Sequence, residues 1–186
     1  MGQRSQIYIR YPAGEKKGLI ARYFSWNYGE RMVSRASGII KMAKRQSSFD
    51  DEGIKKLILV CDVNFDMRDI SLSSDIIEEV AVFCEGVSNE LFAQDNNDGQ
   101  LLVDIRNGVV KYAFIPYYDN PAFLDGEGYL AYDLGMDWRE KLDPEVLAYT
   151  EKNLAFIAES AVLMSEDEVR EFLSYDYSHL FEEVLK

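Results

Sequence analysis

The chain has 186 residues, of which 47% are hydrophobic and 13% aromatic, long enough for one domain with a continuous core and too apolar for intrinsic disorder. No apolar run approaches the ~18 residues of a membrane span, and Met1–Gln6 shows neither a signal peptide's apolar stretch nor, with Gln6 in place of Ser or Thr, a myristoylation motif, so a cytoplasmic protein without membrane partners is expected. The formal charge of −13 is unevenly spread: residues 1–48 hold ten Lys or Arg against two acids, a net of +8, and the rest of the chain carries −21.

In chain order, Gln6–Tyr11 and Leu19–Ser25 are rich in β-branched and aromatic residues, and the Pro12–Gly18 stretch between them predicts a hairpin. Arg10 and Arg22 fall at polar positions of these strands, where they are expected to share a solvent-facing side. Asn27 followed by Glu30 has capping-box spacing and predicts a helix running to about Gln46, with Met32, Val33, Ala36, Ile39, Ile40 and Ala43 inward. Arg31, Arg35 and Arg45 then lie near one another outside, flanked by Lys41 and Lys44.

Helical spacing predicts a second helix over 51–64, and Asp75 with Glu78 a third over 75–84. Three antiparallel strands follow, over 90–95, 100–106 and 109–117. The tight Asn107-Gly108 turn supplies the positive φ angles that a two-residue hairpin needs. The aromatic, Gly-containing stretch 117–142 is expected to be a long loop. Asp143-Pro144 opens a helix to about Val162, and Ser165 with Glu168 forms a capping box at the start of the last one. The expected architecture is a single α+β domain, 1–186: an antiparallel sheet of about five strands, hairpin plus three-strand meander, packed by about five helices.

Few residues carry recognisable chemistry. A single histidine, His179, argues against zinc and against a histidine-based triad. Cys61 and Cys84 sit in apolar segments without metal or redox spacing, as buried thiols do. Asp62-x-Asn64-x-Asp66 opens like a calcium loop but fails at Met67 and Ser73, where Gly and Glu are required. No metal and no cofactor is expected.

What remains is the basic first quarter. Arg10, Arg22, Trp26, Tyr28, Arg31, Arg35, Lys41 and Arg45 combine cations that neutralise phosphate with aromatics that stack on bases, the composition of a nucleic-acid or partner surface. The same cations can instead pair internally with the acidic helices, since Arg suits buried bidentate pairing. Glu30 with Arg31 and Arg35 are the candidate catalytic residues for a phosphodiester, the carboxylate as base and the guanidinia stabilising charge; Glu30 is equally accounted for as a cap. The acids Glu166, Asp167, Glu168, Glu171, Glu182 and Glu183 form a solvated face, or a phosphate-like pattern for a basic partner.

The strings GQRSQIYIRY, LIARYFSWNYGERMVSRA, NFDMRDISLSSDII and AQDNNDGQLLVDI resemble a family of small proteins encoded by phages and mobile elements of Gram-positive bacteria. That resemblance runs over most of the chain and brings no family site residues with it. It implies an accessory protein in a bacterial host cell, of the kind that includes anti-CRISPR inhibitors of type II RNA-guided nucleases. The partners it implies are the nuclease, its guide RNA, or both. A histidine-poor ribonuclease that truncates guide RNA, and a regulatory or structural mobile-element protein, are the alternatives.

Overall fold

The computed structural model describes residues 4–25, 27–62, 98–116 and 123–180, together with the backbone of 74–75. Strands β1 (Arg4–Ala13) and β2 (Lys16–Ser25) form the expected hairpin. Helices α1 (Glu30–Arg45) and α2 (Asp51–Asp62) follow, then the two-residue strand β3 (Ser74–Asp75). Strands β4 (Gln100–Arg106) and β5 (Val109–Ile115) flank the Asn107-Gly108 turn, where both residues have positive φ. The remaining elements are α3 (Gly126–Leu134), α4 (Trp138–Lys141), α5 (Pro144–Ser160), β6 (Val162–Leu163), α6 (Glu166–Ser174) and a 3₁₀ turn at Ser178–Leu180.

The fold is α+β, but its sheet is mixed rather than antiparallel. The six strands run in the order β3-β2-β1-β4-β5-β6. β1 pairs with β4 in parallel, Ile7 beside Leu101 and Arg10 beside Asp104, and β5 pairs with β6 in parallel. The direction follows from the strand order: α1 and α2 return the chain to β3, antiparallel beside β2 and so running the same way as β1. β4 on the other side of β1 keeps that direction, which is what a crossover from β3 produces. β1 thereby occupies the edge of β4 that the expected meander assigned to residues 90–95, a segment outside the described residues, as is the helix expected over 76–84. Asp75, expected as its cap, is instead a strand residue paired with Arg22.

Alternation along the strands sorts the core into two layers. Ile7, Ile9, Ile20, Phe24, Leu101, Val103 and Phe114 meet Met32, Val33, Ile39, Leu57, Tyr129, Trp138 and Ile157 from α1 to α5. On the opposite face Tyr8, Leu19, Ala21, Leu102 and Ala113 meet Met164, Val169, Phe172 and Tyr177, so α6 and the turn after it cover that side. Two helices stand where a loop was expected. Asp125 caps α3 by accepting from the Gly128 amide at 2.8 Å, and Tyr129 and Leu130 bury its inner side; Gly126, Gly128 and Gly135 obscure its helical signal in the sequence. The Asp143-Pro144 and Ser165–Glu168 starts form as expected. No helix among the described residues is long and apolar enough to cross a membrane.

Candidate partner-binding face

The basic residues that the sequence groups together are distributed over both sides of the sheet. Arg22 stands opposite Ile7 in the hairpin register, and Arg10 opposite Leu19. Ile7 and Leu19 belong to different core layers, so Arg10 and Arg22 face opposite sides and the expected shared surface does not form. Arg22 donates to the Asp62 carboxylate of α2 at 3.2 Å. Arg10, only 1% exposed, donates through Nε and Nη2 to both oxygens of Asp104 at 2.8 and 2.7 Å, and through Nη1 and Nη2 to Glu171 of α6 at 3.2 and 2.7 Å.

Lys17 and Arg106 also reach Glu171, each at 2.5 Å. Burial acts to raise the Glu171 carboxyl, but hydrogen bonds from Arg10, Lys17 and Arg106 outweigh it and hold the group at about 2. Burial likewise acts to lower Arg10, and Asp104 and Glu171 more than restore it, so its guanidinium is held protonated.

Arg35 is equally withdrawn, at 1% exposure on the inner side of α1. Its Nε donates to Asn27 Oδ1 at 2.7 Å, its Nη1 to the Cys61 carbonyl, and its guanidinium lies 4.5 Å from the Phe24 ring centroid. Asn27 is therefore not the expected cap. Its amide also donates to Ser5 Oγ at 2.9 Å, while α1 starts from Gly29 at φ 52 with no side-chain cap. Glu30 is the first helical residue rather than the third. Arg31 lies 5.8 Å from the Tyr28 ring centroid on the half-buried rim, whereas Arg35 is buried on the inner side of α1. Trp26 lies outside the described residues. Cys61 is fully buried, and burial pushes its thiol up to about 12, which removes it from nucleophilic chemistry at neutral pH.

The C-terminal half of α1 is different. Arg45 and Lys44 are exposed and Lys41 is half-buried, its ammonium 4.6 Å from the Phe156 ring centroid of α5. Lys152, also on α5 and exposed, joins them. Burial lowers the Lys41 ammonium, and repulsion from Lys152 and Arg45 lowers it further. Arg45 of α1 and Lys152 of α5 thus both press on Lys41. Lys44 is spent on the α5 C-terminus, donating to the Ser160 carbonyl at 3.1 Å, the position where a cation offsets the helix dipole. Lys152 had no sequence signal, because only the packing of α5 on α1 brings it beside Lys41.

Near Glu30 at the other end of α1 sits an acidic group. Burial, then the charge of Asp98, raise the Asp133 carboxyl to about 6, against a stabilising Gly29 amide; Glu30 adds to the rise. Among the described residues no group of three His, Cys, Asp or Glu is arranged to hold a metal. Asn64 and Asp66 of the calcium-like string lie outside them, and Asp62 is engaged by Arg22. His179 is bonded through Nε2 to the Lys17 carbonyl at 2.9 Å. The fold and this face define an α+β protein in which Lys41, Arg45 and Lys152 share one surface of an acidic body. Comparison with protein-family models, curated proteins and solved structures gives no match.

Proposed function

We propose that the protein is a binding protein that disables a bacterial type II RNA-guided nuclease, using the α1–α5 cations on guide-RNA phosphates and its acidic helices on the basic nuclease. The observation that carries the reading is that the packing of α5 on α1 sets Lys152 and Arg45 close enough to Lys41 to lower its ammonium, on a chain with 33 carboxylates. Cations left together beside so many acids are poised for external phosphate, which relieves the repulsion and releases counterions. Arg10 and Arg35, taken up by internal partners, support the fold of that surface rather than its contacts.

The test combines purified protein with a guide-loaded type II nuclease and, separately, with free guide RNA, reading target cleavage and RNA length on one gel. Expected is stoichiometric loss of cleavage with intact RNA. The Lys41→Ala/Arg45→Ala/Lys152→Ala variant should fold normally and lose about tenfold or more in potency, the loss shrinking as salt rises. An unchanged triple variant removes this surface from the mechanism, and unaffected cleavage by the wild type removes the inhibitor reading.

One observation favours the ribonuclease alternative: a carboxyl held at about 6, that of Asp133, lies within electrostatic reach of Glu30, and acids tuned toward neutrality suit proton transfer. Shortened RNA that persists in the triple variant and disappears with Glu30→Gln or Asp133→Asn selects that alternative.

A further inference from the structure

The other face of the sheet holds a second concentration of cations, at the end where β1 and β4 finish. Arg10, Lys17 and Arg106 come from three neighbouring strands and converge on the single carboxylate of Glu171. Beside this junction opens a cavity of about 170 Å³ whose lining includes Arg10, Lys16, Lys17, Arg106, Asn107 and one carboxylate, Asp104. That volume is several times the ~30 Å³ share of a water molecule. Glu171 reaches the junction from α6 without lining the cavity, and Glu15 at the hairpin tip does not line it either. Four cations therefore meet two carboxylates, a local surplus of two positive charges on an acidic chain.

The cations differ in how they are held. Asp104, 3% exposed, grips Arg10 through both carboxylate oxygens and is touched by Arg106 Nε at 2.5 Å. The lining thus includes a rigid, desolvated guanidinium already paired with Asp104, so the surplus charge offered to a ligand comes from Lys16, Lys17 and Arg106. Lys16 is exposed and Arg106 half-exposed at 42%, so the rim offers donors that can turn toward a ligand. Guanidinium and ammonium groups together, with a surplus of two charges, match the geometry and charge of a phosphate.

We propose that this cavity is a phosphate site, in which Lys16, Lys17 and Arg106 contact the oxygens beside the paired Arg10, and Glu171 is an intramolecular anion competing for the same cations. Phosphate binding and α6 docking then draw on one set of donors, so a ligand here loosens the hold of Glu171 on the sheet. The phosphate group can be free or part of a nucleic-acid backbone.

The experiment is a titration of the ¹⁵N-labelled full chain with sodium phosphate, then with a short single-stranded RNA, at constant ionic strength set by sodium chloride. Amide shifts of Lys16, Lys17, Arg106 and Asn107 are followed. Saturable shifts confined to this cavity are expected with at least one titrant. Tighter binding of the RNA assigns the site to backbone phosphate, and saturation by inorganic phosphate alone assigns it to a small ligand. Lys16→Ala/Arg106→Ala, at exposed and half-exposed positions, should weaken binding at least tenfold, whereas Glu171→Gln should tighten it several-fold by removing the competing charge. No saturable shift with either titrant, a double variant that binds as well as the wild type, or Glu171→Gln binding no better than wild type overturns the proposal. No nuclease is present, so the result stands apart from the outcome of the inhibition assay.

Discussion

At the scale of single residues, the most consequential partnership is Arg10 with Asp104. Both side chains are buried, at 1% and 4% exposure, and their parallel-register positions on β1 and β4 set the guanidinium beside the carboxylate. The value of such a pair lies less in its attraction than in the penalty for breaking it, since the surviving ion is left dehydrated and alone. Arg10→Ala leaves Asp104 with Arg106 as its remaining ion-pair partner among the described residues and also removes the first of the hydrogen-bond donors that hold Glu171. The expected cost is about 3–5 kcal/mol in chemical denaturation. Arg10→Met/Asp104→Leu, which removes both charges and keeps the volume, should recover most of it. Equal losses in the single and double variants would mean that packing against Phe172, whose ring centroid lies 4.4 Å from the guanidinium, matters more than charge. Arg35 is used differently: its partners are an amide and a backbone carbonyl, so it satisfies buried polar groups.

At the scale of elements, the entry into β4 depends on Gly99. Its φ of +88 belongs to the left-handed region, and a Cβ there would lie 2.5 Å from the Ile115 carbonyl oxygen at the end of β5. Backbone cannot move aside as a side-chain tip can. Gly99→Ala should therefore cost about 2–4 kcal/mol, combining left-handed strain with displacement of the β4–β5 ladder. Gly14 is the control: its φ is +64 but nothing lies within 4 Å, so Gly14→Ala should cost only about 1 kcal/mol. Thermal melts of both variants decide whether contact or conformation dominates at Gly99, and equal shifts would discard the contact argument. Elements whose signals are local were legible in the sequence: the hairpin, the Asn107-Gly108 turn, the Asp143-Pro144 start and the Ser165–Glu168 box. Strand order was not. Alternation in QIYIRY specifies two faces but not which neighbour each edge takes, and the parallel β1–β4 pairing follows from a crossover that starts at β3, a two-residue strand too short to show alternation. The short helix α3 was hidden for another reason, its glycines masking the helical period that Tyr129 and Leu130 otherwise mark.

At the scale of the whole molecule, charge is partitioned by the fold more finely than by the sequence. The basic first quarter was legible as composition, but its fate was not. Arg10 and Arg22 part to opposite faces because their register partners Leu19 and Ile7 do, Arg35 turns inward on α1, and Lys152 arrives from a helix about 100 residues later in the chain. The acids are partitioned too, with opposite consequences for stability. Glu171 is held below its ordinary value, so its contribution is present above that value and fades as pH falls toward about 2. Asp133 is held above its ordinary value, at about 6: the folded state binds its proton more tightly than the unfolded chain, so stability is lost as pH rises from about 4 through 6. A carboxyl raised that far corresponds to ~3 kcal/mol at most, and partial solvent access reduces this to roughly 1–2 kcal/mol. Asp133→Asn keeps an acceptor for the Gly29 amide and removes the charge facing Asp98 and Glu30. The variant should be more stable than wild type by that amount at pH 7.5, with the gap closing by pH 4. Urea midpoints at the two pH values measure it directly, and a gap that is the same at both would show that shape rather than ionisation distinguishes the two side chains.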